Sequence, residues 1–121
     1  MKYMLLVHHD EEAFGKRSEA ERQDMLKESV QLANQLHAVG RYLSAAPLHP
    51  ASTAAIVRVR EGKSFVTDGP FIETREQIAG YFLIDAEDLD EAIGIAARVP
   101  GARIGTVEVR PVKEITGLPT D

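Results

Sequence analysis

A chain of 121 residues with 44% hydrophobic residues, 27% charged residues and a formal net charge of −5 can bury one core and is too short for two, so one domain over 1–121 is expected. With no cysteine it forms no disulfide, no thiolate nucleophile and no cysteine-bound zinc site. The acidic balance and scattered lysines and arginines argue against nucleic acid as a partner. No apolar run approaches the roughly 20 residues that span a bilayer, and MKYMLLVHHDEE lacks a signal-peptide cleavage pattern, so a cytoplasmic protein without a membrane partner is expected.

From Lys2 to His8, Tyr3, Leu5 and Val7 alternate with Met4, Leu6 and His8, and both sets are mainly apolar, which predicts a central strand covered on both faces. His9 to Arg17 reads as a polar loop. Ser18 with Glu21 forms a capping box that opens a helix from about Glu19 to Val39. Met25, Leu26, Ser29, Val30, Ala33, Leu36 and Val39 are its expected core face, and Gly40 ends it. Arg41 to Ala46 is extended, and Pro47 and Pro50 confine the next segment to an edge or a turn.

Thr53 to Arg60 and Ser64 to Thr67 form a hairpin joined at Glu61-Gly62-Lys63. Ile78 to Asp85, apolar on both faces, is a second central strand, with Gly80 marking a bulge or a close backbone or ligand approach. Asp88 with Glu91 caps a shorter helix to about Arg98, with Leu89, Ala92, Ile93, Ala96 and Ala97 inward. Ile104 to Val112 is the last strand. The order β-α-β-β-β-α-β gives an α+β, ferredoxin-like subunit with both helices on one face of a mainly antiparallel sheet. Two strands that want cover on both faces then call for an identical sheet from a second copy, and hence a homodimeric α+β barrel.

The chemistry concentrates in Asp68-Gly69-Pro70-Phe71 and the adjoining IETREQ. Gly69 and Pro70 define a turn after a strand. The carboxylate of Asp68 either bonds amides of that turn or takes part in binding or proton transfer. Glu73, Arg75 and Glu76 lie close behind. An acid beside another acid has its pKa raised, and an arginine orients an anion, although a solvated salt-bridged loop accounts for the same residues. Gly69, Pro70, Phe71, Arg75 and Tyr81 are the expected ligand contacts. His8 and His9 point to opposite faces of an extended chain, so only one can look into a cleft. His8 is either a satisfied core histidine or an acid–base group at a strand end. A metal site from His8 or His9, His49 and Asp10 has no recognised spacing, and none is predicted. No G-x-G-x-x-G, Walker loop, G-x-S-x-G or H-E-x-x-H occurs, so neither a nucleotide cofactor nor triad hydrolysis is expected, and no cofactor is assigned.

In MKYMLLVHHDE, TAAIVRVREGKSFVTDGPFIETREQIAGYFLID and AARVPGARIGTVEVRPV the chain resembles the DGPF branch of the YCII-related family, and the resemblance covers nearly all of it. The resemblance implies a dimeric α+β barrel of ferredoxin-like subunits. Relatives in the broader family pair a histidine with an aspartate in a cleft. Here SEAERQDML holds no histidine, and the aspartate's expected place falls around Arg98, so that pair does not carry over. Acid–base work would then fall to Asp68, Glu73 or His8. Two function classes are open: a small isomerase- or lyase-type enzyme acting on a small organic acid, lactone or aromatic, with Arg75 holding a carboxylate; or a non-catalytic ligand-binding or regulatory module, since some DGPF domains occur with sigma factors.

Overall fold

The computed structural model describes residues 1–119. Alternation at the N-terminus becomes β1 (Lys2–His9), with Tyr3, Leu5 and Val7 buried and Met4, Leu6 and His8 half-buried on the other face. Then comes a departure from expectation: the segment read as a loop contains a short helix, α1 (Glu11–Gly15). Asp10 supplies what a loop reading overlooks, a side chain that accepts a hydrogen bond from the Ala13 amide at 3.0 Å and so caps the first turn.

Helix α2 (Glu19–Ala38) starts as expected, with Ser18 Oγ accepting from the Glu21 amide at 3.1 Å. Its buried residues are Leu32 and Leu36, while Leu26, Val30 and Val39 are exposed, so the expected inward stripe is rotated. Leu32, absent from that stripe, is the residue that reaches the core. The apolar stripe is wider than the surface the helix buries, and periodicity alone does not say which part of it is covered. Arg103 holds α2 to the far end of the chain through a two-pronged ion pair with Glu28, at 2.8 and 2.7 Å, and this guanidinium keeps the Glu28 carboxyl below its usual range.

The remaining elements are β2 (Tyr42–Pro47), β3 (Ala55–Arg60), β4 (Lys63–Asp68), β5 (Gln77–Asp85), α3 (Leu89–Ala96) and β6 (Thr106–Pro111), one strand more than the expected formula. Four strands form an antiparallel sheet in the order β2-β5-β1-β6. Taken in chain order, with the hairpin set aside, this is the arrangement of a ferredoxin-like α+β fold. The other two strands, β3 and β4, pair only with each other and form a separate arm between β2 and β5. Their turn takes positive φ at both Glu61 (50°) and Gly62 (75°), which is how a two-residue connection matches strand twist.

Helices α2 and α3 lie on one face of the sheet. Tyr3, Leu5 and Val7 of β1 and Phe82 and Ile84 of β5 meet Leu32 and Leu36 of α2, and Ala92, Ile95 and Ala96 of α3. In α3 the inward set is again offset from expectation: Ile95 is buried, while Leu89, Ile93 and Ala97 are exposed. Gly80 combines both roles foreseen for it. The register of β1 against β5 slips between Val7 and His8, and a Cβ at Gly80 would stand 2.8 Å from the Ala46 carbonyl oxygen. Among the described residues no helix is long and apolar enough to cross a membrane.

Candidate functional site

The uncovered part of the α2 stripe has a consequence. Leu26 and Val30 are exposed and line a groove of about 950 Å³ bordered by α2, β2 and β5. Tyr42, Ala45 and Phe82 floor it, and Leu48 closes one rim. Most of this lining is apolar, as expected of a cavity that removes a small molecule from water.

At the end of β1, His9 enters this groove while His8 points to the opposite face, as alternation requires. The imidazole of His9 stacks on Phe14 of α1, with ring centroids 4.5 Å apart and planes 25° from parallel. Burial pushes the pKa of His9 below its ordinary value of 6.5, outweighing the opposite pull of the Glu11, Asp10 and Glu76 carboxylates. Burial thus favours the neutral ring, while three nearby carboxylates oppose that shift and would favour the charged form.

The polar groups around His9 are held by the backbone. Glu11 Oε1 accepts from the Ala51 amide at 2.8 Å, and the Glu11 amide donates to Gln77 Oε1 at 3.1 Å, which ties α1 to the approach of the arm and to the start of β5. Arg22, at the groove rim, donates to the carbonyls of Gly15 and Arg17, both at 2.9 Å. Its guanidinium thus fastens the α1–α2 junction. On the α2–β2 side His37 meets Tyr42 edge-on, with centroids 6.2 Å apart.

A second, more polar cavity of about 440 Å³ lies where the loop after β4 passes the start of α1. Pro70, Glu73 and Arg75 line it together with Asp10, Glu11 and Glu12. Three of the expected site residues therefore converge, but outside the apolar groove. Asp68 is the last residue of β4, exposed, and lines neither cavity. The turn after it is closed by the Gly69 amide donating to the Ala54 carbonyl at 2.7 Å, with Gly69 at φ 96°. Phe71 is 72% exposed and carries the Arg58 guanidinium over its ring at 5.4 Å. On the sheet's other face, His8 Nε2 lies 3.3 Å from Glu108 Oε1. Tyr81 belongs with Leu6 and Leu83 to the sheet face away from the helices, where its hydroxyl is 2.9 Å from Ser44 Oγ.

His9 is the group that sequence reasoning passed over. The signal was available: it continues the Tyr3-Leu5-Val7 face, and that face carries the core. With both faces of β1 apolar, however, nothing in the strand itself ranks His9 above His8. The stacking partner Phe14 lies in a segment read as irregular.

The YCII-related domain model matches residues 1–116. The chain is also similar to the uncharacterized protein R00369 of Rhizobium meliloti (strain 1021), with 34% identity over 114 residues that make up 93% of this chain and 92% of that one.

Proposed function

From the chain's membership of the YCII-related family, which fixes no reaction, we propose a small-molecule protein that works by acid–base chemistry in the groove between α2 and the sheet. The carrying observation is a half-buried imidazole, His9, whose pKa burial holds below its ordinary value, lining a large and mostly apolar cavity. Burial keeps the ring in the neutral form that can accept a proton, and the neighbouring carboxylates partly offset the cost of the imidazolium that proton transfer forms. The ligand class is a compact apolar or aromatic molecule with an ionisable hydrogen, such as an organic acid or a lactone. His9 moves the proton, and the walls at Leu26, Val30 and Phe82 bind the apolar body. In this reading Glu73 and Arg75 shape the second cavity, Asp68 closes the strand before the turn, and the DGPF turn stands apart from the reacting atoms.

A second copy completes the assembly. Met4, Leu6, Tyr81 and Leu83 make the face away from the helices half-exposed and apolar, and pairing two such faces buries them without any further chain. The notion of a binder without chemistry draws on a different observation, the separation of Asp68 from both cavities.

The test is a thermal-shift screen of aromatic and aliphatic acids and lactones, followed by NMR of the His9 imidazole with the best hit. A ligand that raises the melting temperature, perturbs His9 and is turned over by the wild type but not by His9→Gln supports the enzyme. Binding that survives His9→Gln with no turnover in either protein supports the binder. Hits that leave the His9 resonances unmoved would sink the groove as the site.

A further inference from the structure

Only two of the arginines are half-buried, Arg22 and Arg41. Arg41 is neutralised, with Glu87 at 3.5 Å and Glu91 at 3.2 Å. Arg22 is not: among the described residues its bonds run from Nη1 alone, to the carbonyls of Gly15 and Arg17, and no carboxylate pairs with it. A partly desolvated cation without a counter-ion is unfavourable, and an anion that the chain does not itself supply would relieve it. The position on α2 acts in the same direction. The Arg22 amide closes the first turn of the helix on the Ser18 carbonyl, and there the helix dipole disfavours a cation and favours an anion.

The donors left over have a defined shape. Two carbonyls hold Nη1, which fixes the plane of the guanidinium, and the Nε–Nη2 edge has no acceptor among the described residues. That edge presents two parallel N–H groups, the match for the two oxygens of a carboxylate. Arg22 lines the apolar groove at its His9 end, because the Gly15 whose carbonyl it bonds directly follows Phe14, on which His9 stacks. Several other polar side chains of the lining are engaged: Ser29 and Asn34 donate to the Met25 and Val30 carbonyls, and Glu11 accepts from the Ala51 amide.

We propose that Arg22 is the carboxylate receptor of the groove, and that the ligand is a monocarboxylate anion whose apolar body lies against Leu26 and Val30. The inference rests on the groove reading above and narrows it from organic acids and lactones to ionised acids. Leu26 and Val30 follow Arg22 at successive four-residue steps along α2, so one helix face reads both the charged head and the apolar body. A carboxylate held here has already lost its acidic proton. The hydrogen that His9 takes therefore comes from another atom of the ligand, which keeps the electron pair. Arg75, which the sequence offers for the same task, is exposed and lines the second cavity beside Asp10, Glu12 and Glu73, whose field repels an anion.

Matched acid and amide probes test it on the full chain by calorimetric titration: octanoate against octanamide, and phenylacetate against phenylacetamide. The wild type should prefer each acid by about tenfold or more, the size of a hydrogen bond to a charged group. Arg22→Gln should erase that preference and bind the amides as the wild type does. Arg22→Lys keeps the charge without the paired donors and should fall between the two. Should Arg22→Gln not fold, the wild-type preference and Arg22→Lys still decide. Equal affinity for acid and amide in the wild type, with the His9 resonances moved by both, overturns the receptor and leaves the groove standing. An Arg22→Gln protein that loses acid and amide alike overturns it too, by showing that the arginine only braces the α1–α2 junction. So does a preference that disappears in Arg75→Gln and survives in Arg22→Gln. If no probe binds, the receptor falls, while the burial of His9 is judged separately by its pH profile.

Discussion

Strands β3 and β6 carry nearly the same alternation, AIVRVR and TVEVRP, and meet opposite fates. In β6, Val107 and Val109 pack against the core and the polar partners face out. In β3, Val57 and Val59 face water, and only Ile56 is even half-buried. Alternation fixes which side chains share a face. Whether that face is covered depends on what the topology brings over it: α3 and the sheet for β6, and nothing in the described chain for β3.

The sharpest break between the two sheets should come from truncation. Leu5 is fully buried between the helices and the sheet, so Leu5→Ala should cost about 2–5 kcal/mol of unfolding free energy by urea denaturation. The equivalent loss in the arm, Val57→Ala, should fall within about 0.5 kcal/mol at low protein concentration. A large effect of Val57→Ala on the dilute monomer would mean that the arm belongs to the same cooperative unit as the main sheet. A step down in size comes Gly80→Ala. Its new Cβ would meet backbone, the Ala46 carbonyl at 2.8 Å, so β2 or the bulge must move, at a cost of roughly 1–3 kcal/mol in the same measurement.

Much of the fold was legible because its signals are local. Ser18 and Asp88 cap α2 and α3 through their own side chains, at 3.1 and 2.9 Å, and the twofold apolar character of β1 and β5 marks them as central strands. The hairpin was legible from its turn. What escaped depends on neighbours distant in sequence. Leu32 and Ile95 are buried, and Val30 and Ile93 are not, because of how each helix sits on the sheet, and a single helical stripe is equally compatible with a small rotation. The site suffered in the same way. Of the expected site residues, Pro70, Glu73 and Arg75, which share a loop, line one cavity, while Asp68, His8 and Phe71 lie apart from it. The groove, by contrast, is lined by residues from α1, α2, β2 and β5 that are distant in sequence, and His9 gains its character from burial there, stacked on Phe14. No residue type announces a gap.

The smallest expected effect examines whether the groove is as dry as the arm is wet. Burial holds the folded-state pKa of His9 below the 6.5 of an unperturbed imidazole. Below pH 6.5 the unfolded chain therefore binds a proton that the folded chain still refuses, and stability falls with decreasing pH until the folded-state pKa is also passed. Above that window both states are neutral at His9, and the residue contributes no slope. His9→Gln should accordingly flatten the stability profile just below pH 6.5 and leave the neutral and alkaline limbs parallel to the wild type, as measured by urea denaturation across pH. An unchanged slope in His9→Gln would mean that water reaches the ring, and the neutral base would lose its physical ground along with the dry groove.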